Sequence, residues 1–195
     1  MMERLACKLI TWMIDMQAIT EEDRELYEYA AYSFFITMAP LMLVILFGSF
    51  MGFLVESIVF IIPFMAIRKF SGGYHMKSPI TCFVISCFLL LFCIILSYNL
   101  IYDRKVIIVL LISSISLMIF SPIDSENRRL DWQERKHYKK TVCVFTIVFV
   151  LLSFVFACMR QYTLAGCIAI GIVLTSGLQL PCIIIGTYRV LKRKR

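Results

Sequence analysis

Charge is what this 195-residue chain has least of. Asp, Glu, Lys and Arg make up 17% of it and hydrophobic residues 61%, whereas a soluble domain is about half apolar and about a quarter charged. The shortage is concentrated: residues 78–102, 106–123, 141–159 and 161–188 contain no charged side chain. A helix needs about 20 mostly apolar residues to cross the hydrocarbon of a bilayer. These runs exclude a soluble globular domain and predict an all-α, polytopic integral membrane protein. Histidine is also scarce, with His75 and His137 the only two. The eight cysteines include no Cys-x-x-C pair and show no zinc-type spacing with the histidines. No metal and no other cofactor is expected. Cys87, Cys93, Cys143, Cys158, Cys167 and Cys182 lie in apolar runs, where cysteine behaves as a small hydrophobe, so a disulfide framework is not expected either. Met1-Met2-Glu3-Arg4 leads into a mixed polar stretch, and no cleavable signal is expected there.

What is present falls into a single membrane domain over residues 1–195. In residues 1–28, Leu5, Leu9, Trp12, Met13, Met16 and Ile19 recur at spacings of three and four, one face of an amphipathic helix. That face either lies on the membrane surface, with Trp12 at headgroup depth, or packs against the chain's own helices. Thr20 and Asp23 then mark the start of a second helix. Gly48 and Gly52 offer a turn that divides the next apolar stretch into spans near residues 30–47 and 53–67. The second of these contains Pro63, which predicts a tilted, kinked or re-entrant segment, and Glu56, which belongs near its boundary. Further spans are expected near residues 79–101, 106–120, 141–159 and 164–188, with a basic polar loop over 121–140. Six spans with both termini cytoplasmic place 17 basic residues inside and only Arg104, Lys105 and Arg160 outside, the asymmetry that the positive-inside rule requires.

Residues 68–82 interrupt the apolar pattern with a short basic stretch holding Gly72-Gly73, His75 and Cys82. Ser78 is a good N-cap and Pro79 a good first helical residue, so Cys82 falls in the first turn of a helix. A helix N-terminus with cations nearby favours a thiolate. His75, three residues before the cap, can fold back to take the thiol proton and return it to a leaving amine. Gly72-Gly73 permit close backbone approach or positive φ. A cysteine at a helix start is more often packing, and a loop histidine more often solvated; His137, among Arg135, Lys136, Lys139 and Lys140, reads as part of a solvated cationic face.

The arrangement Arg-x4-Gly-x-His-x6-Cys, formed by Arg68, Gly73, His75 and Cys82, resembles the AgrB (accessory gene regulator protein B) family. The segment Ser121-Pro122-Ile123-Asp124-Ser125-Glu126-Asn127-Arg128 is similar to that family's Pro…Asn-Lys/Arg segment. The resemblance implies a cysteine endopeptidase of the bacterial plasma membrane, working in peptide quorum sensing with its active site at the cytoplasmic face. It implies Cys82 as nucleophile, His75 as base and residues 68–79 as the catalytic loop, with Arg68 and Gly73 supporting. Asp124, Glu126 or Asn127 would orient His75 if the two loops meet. The implied partners are a small AgrD-like propeptide and membrane lipid, with monomer and homodimer both open and no nucleic acid. The competing classes are a small transporter, for which Gly166, Gly171, Gly177, Pro181 and Gly186 are the best feature, and a non-enzymatic membrane partner.

Overall fold

The computed structural model describes residues 2–73, 78–123 and 131–184, with only the backbone of Met2 and Pro79. The described residues form seven named α-helices, α1 (Met2–Asp15), α2 (Arg24–Met51), α3 (Leu54–Ser71), α4 (Pro79–Asn99), α5 (Arg104–Phe120), α6 (Trp132–Cys158) and α7 (Tyr162–Gly177), with one turn of 3-10 helix, Glu21–Asp23, leading into α2. A two-residue break follows α7, and residues 180–184 are helical again. Four helical stretches are long and apolar enough to cross a membrane: Glu21–Met51, Ile80–Asn99, Trp132–Cys158 and Tyr162–Ile184. The other two expected spans coincide with α3 and α5, which sit at the lower limit. The 18 residues of α3 include Glu56, Arg68 and Lys69, and α5 has only 17 residues, about 26 Å of helix against a hydrocarbon core of about 30 Å.

The helix ends follow from local chemistry. Gly52 takes the left-handed conformation (φ 79°) that closes α2, and Phe53 N–H donates to Gly48 O at 2.6 Å. Asp103 Oδ1 accepts from the backbone N–H groups of Lys105 and Val106, capping α5. Pro40 and Pro63 lie inside continuous helices, so α3 is one unbroken helix. Glu56 occupies its first turn. The polar segment expected as a loop over 121–140 is corrected from residue 132 onward. Helix α6 begins at Trp132 because Asp131 and Glu134 form a capping box, Asp131 N–H donating to Glu134 Oε2 at 3.4 Å.

Helix α7 is the hub. Small residues alternate with apolar ones through Ala165-Gly166-Cys167-Ile168-Ala169-Ile170-Gly171, and every one of them is buried. A helix apolar all round must be surrounded, and small residues let neighbouring backbones approach. On one side, Cys167, Ile170 and Leu174 join a cluster with Leu41, Val44, Phe60, Phe64 and Leu90 from α2, α3 and α4. On the other, Ile168, Ala169 and Ile172 pack with Ile67, Leu110, Leu117 and Val142 from α3, α5 and α6. Gly171 touches the α3 backbone beside Pro63; a Cβ there would stand 2.9 Å from Phe60 O and 3.2 Å from Pro63 Cγ. Large side chains such as Phe88, Phe92, Ile112 and Leu151 remain on the outside, where lipid rather than water suits them. Helix α1 packs on α2 through Ala6 and Ile10, leaving Leu5, Leu9, Trp12 and Met16 exposed.

The two ends of the bundle are tied differently. At one end Phe53 stacks on Tyr98 (3.9 Å between ring centroids), and Tyr102 Oη lies 3.1 Å from Ser153 Oγ. At the other end the stems of the 68–82 and 121–131 segments meet the end of α7.

Candidate functional site

Cys82 lies in the first turn of α4, half-buried, with its backbone N–H donating to Ser78 O at 3.0 Å. Ser78 is the N-cap residue and Pro79 the first helical one, the local arrangement that the sequence predicts. The Ser78 side chain makes no capping hydrogen bond. All eight cysteines are free thiols.

Arg68 lies in the last turn of α3. Its Nη1 donates to Gly72 O at 2.7 Å, and the thiols nearest its charge are those of Cys182 and Cys82. The two glycines explain how the backbone makes room. Gly72 (φ 70°) packs against Ile123 O, and Gly73 (φ 141°) packs against the Arg68 guanidinium and Leu178 O. Either position is strained for any residue with a Cβ, and each is also filled by a neighbour. Arg68, Gly73 and Cys82 therefore gather at one end of the bundle, as a fixed cation, the glycine that accommodates it, and a thiol at a helix start.

The stems of the two polar loops are hydrogen-bonded to each other. Ile123 N–H donates to Ser71 O at 3.0 Å, which joins the approach to His75 to the approach to Asp124, Glu126 and Asn127. Those four residues themselves lie outside the described residues. Ser121 and Pro122, joined by a cis peptide bond, are buried. A third segment completes the junction: buried Gln179, just after α7, donates through Nε2 to Ser71 O (3.0 Å) and to Ser121 Oγ (2.9 Å). Sequence reasoning missed Gln179. Its only signal was an amide deep in an uncharged run.

The first turns of α6 lie beside the same end. Tyr138 meets the Phe70 ring edge-on at 5.5 Å, and Phe70 also contacts Phe145. Arg135, Lys136, Lys139 and Lys140 are exposed, and the Lys136 ammonium stands 5.6 Å from the centre of the Trp132 ring. His137 is exposed in this cationic face, as its charged surroundings predict.

The family model of accessory gene regulator B matches residues 6–183. A curated chain from Clostridium perfringens (strain SM101 / Type A), whose name calls it AgrB-like, is 19% identical over 184 residues, covering 90% of this chain and 86% of its own length. No solved structure matches significantly. The chain therefore belongs to the accessory gene regulator B (AgrB) family, membrane proteins that take part in processing a quorum-sensing propeptide.

Proposed function

We propose that this protein is a membrane-embedded cysteine endopeptidase that removes the C-terminal part of a small AgrD-like propeptide and supports cyclisation of what remains. The observation that carries the reading is the place of Cys82 in the first turn of α4, with Arg68 seated against Gly73 and donating to Gly72 O at 2.7 Å. A fixed positive charge and a helix N-terminus together are the setting of a nucleophilic thiolate.

In the proposed reaction His75 takes the Cys82 proton, and the thiolate adds to the scissile carbonyl carbon. Collapse of the tetrahedral adduct breaks the C–N bond. The proton passes from His75 to the leaving amine, and the C-terminal fragment departs. The remaining peptide is held on Cys82 as a thioester. A thiol or hydroxyl within that peptide, deprotonated by His75, then attacks the thioester carbonyl. Cys82 leaves as the thiolate and regains the proton, and a thiolactone or lactone ring is released. No water is consumed, so shielding the thioester from hydrolysis at the lipid boundary favours the ring over the linear product. Asp124, Glu126 or Asn127 would orient His75, a role supported by the hydrogen bond between the two loop stems.

The proposed topology has six spans, α2 to α7, with both termini and the site at the cytoplasmic face, where it places most of the basic residues. The exposed cations at the start of α6 would attract an acidic substrate tail, although positive charge is retained inside for topological reasons alone. The test is mass spectrometry of membranes that co-express the chain with small open reading frames from its genomic neighbourhood. A shortened or cyclised peptide should appear with the wild type and vanish with Cys82→Ala and with His75→Ala. Equal processing by both variants would overturn the assignment.

A further inference from the structure

We propose that Gln179 is a positioning residue of the peptidase site, fixing the stem of the His75 segment against the stem of the 124–130 segment; this rests on the reading above. A buried amide in a membrane helix bundle is retained against a desolvation cost and needs a reason. Gln179 is fully buried, and its two Nε2 hydrogens are both used, one on Ser71 O and one on Ser121 Oγ. Ser71 O accepts a second bond from Ile123 N–H, so three separate stretches of chain converge on one carbonyl oxygen. Leu178, the preceding residue, presents its carbonyl to the α-carbon of Gly73. His75 and Asp124 each follow this junction within four residues.

The bonding pattern separates positioning from stability. Without the Gln179 side chain, Ser71 O keeps its bond from Ile123 N–H, and the Ser121 hydroxyl, free to rotate, loses only a donor. Meanwhile Gln179 Oε1 is buried and accepts no hydrogen bond among the described residues. An apolar residue of similar size would avoid that unpaired acceptor. Polar groups kept on such terms are characteristic of functional sites.

The experiment uses the full chain in lipid nanodiscs with the propeptide identified as above. Gln179→Leu should speed amide hydrogen exchange in the fragment containing Ile123 and lower kcat roughly 10- to 100-fold at unchanged KM, the signature of misplaced rather than weakened binding. The thermal midpoint should stay near that of the wild type. Gln179→Glu, the same size but with an acceptor facing Ser71 O, should fail in the same way. Adding Ser121→Ala to Gln179→Leu should cause no further loss, because both remove the same bond. Unchanged exchange at Ile123 overturns the clamp, and an unchanged kcat in folded protein overturns its role in positioning. A kcat loss fully accounted for by less folded protein also overturns that role. Cys82→Ala, run alongside, separates the two levels. If it processes peptide like the wild type, the peptidase reading falls and the positioning role falls with it, while the exchange result still reports on the clamp.

Discussion

The guanidinium of Arg68 occupies the space beside Gly73 that a side chain there would fill. The two residues are thus reciprocal: Arg68 can hold Gly72 O only because position 73 has no Cβ. A short basic motif in the sequence becomes, in three dimensions, a cation seated against bare backbone.

Gly73→Ala should therefore act through Arg68. The alanine meets both a φ of 141° and the guanidinium, so a stability loss of about 1–3 kcal/mol is expected from the backbone conformation. Displacing the cation should lower peptide cleavage by roughly 10- to 100-fold. Thermal unfolding and cleavage of the same preparation check this, and wild-type cleavage would mean that the Arg68 position is irrelevant to the reaction.

Alkylation by a soluble thiol reagent should single out Cys82. Cys87, Cys93 and Cys167 are buried, whereas Cys82 is half-buried at a helix N-terminus near Arg68. Cys182, half-buried and also near Arg68 but towards the end of the helical stretch Tyr162–Ile184, is the internal control, and Cys82 should react about tenfold faster than Cys182. Arg68→Lys should slow the Cys82 reaction, because a lysine keeps the charge but not the planar fork that reaches Gly72 O. His75→Ala should slow it as well. Labelling sites are read by peptide mass mapping, and equal rates at Cys82 and Cys182 would count against an activated thiol.

Two substitutions far from the site should lower stability alone. Asp103→Ala removes the acceptor of the Lys105 and Val106 amides and should cost about 0.5–2 kcal/mol. Gly171→Leu forces α7 away from Phe60 and Pro63 and should cost about 1–3 kcal/mol or prevent folding. Asp103→Ala should leave cleavage per folded molecule unchanged; a selective loss of activity would show that the α5 cap is coupled to the site.

Trp12 reports on α1. Its exposure, with that of Leu5, Leu9 and Met16, leaves an apolar stripe that α2 does not cover. In vesicles, brominated lipids should quench Trp12 fluorescence, most strongly when the bromines lie near the headgroups. Absence of quenching would mean that the stripe meets protein instead.

Much of the fold was legible because uncharged length is a direct consequence of the bilayer. The expected apolar segments reappear as α2 to α7, and the Ser78-Pro79 helix start is found where local chemistry puts it; of the two glycines expected to turn the chain only Gly52 does so, Gly48 staying buried inside α2. The start of α6 was written in Asp131 and Glu134, but the density of charge from Arg135 to Lys140 masked it. Within the site, the spacing of Arg68, Gly73 and Cys82 was visible in the chain.

What the sequence determined by itself is the membrane, the helices and the candidate thiol, because hydropathy, capping and helix period act over neighbouring residues. Only the tertiary structure decided that α7 is the hub, that Gly171 faces Pro63, and that Gln179 joins Ser71 to Ser121. A small residue or an amide in an uncharged run announces that something approaches closely. Which partner approaches depends on contacts 58 and 108 positions apart along the chain, and packing rather than local propensity chooses them.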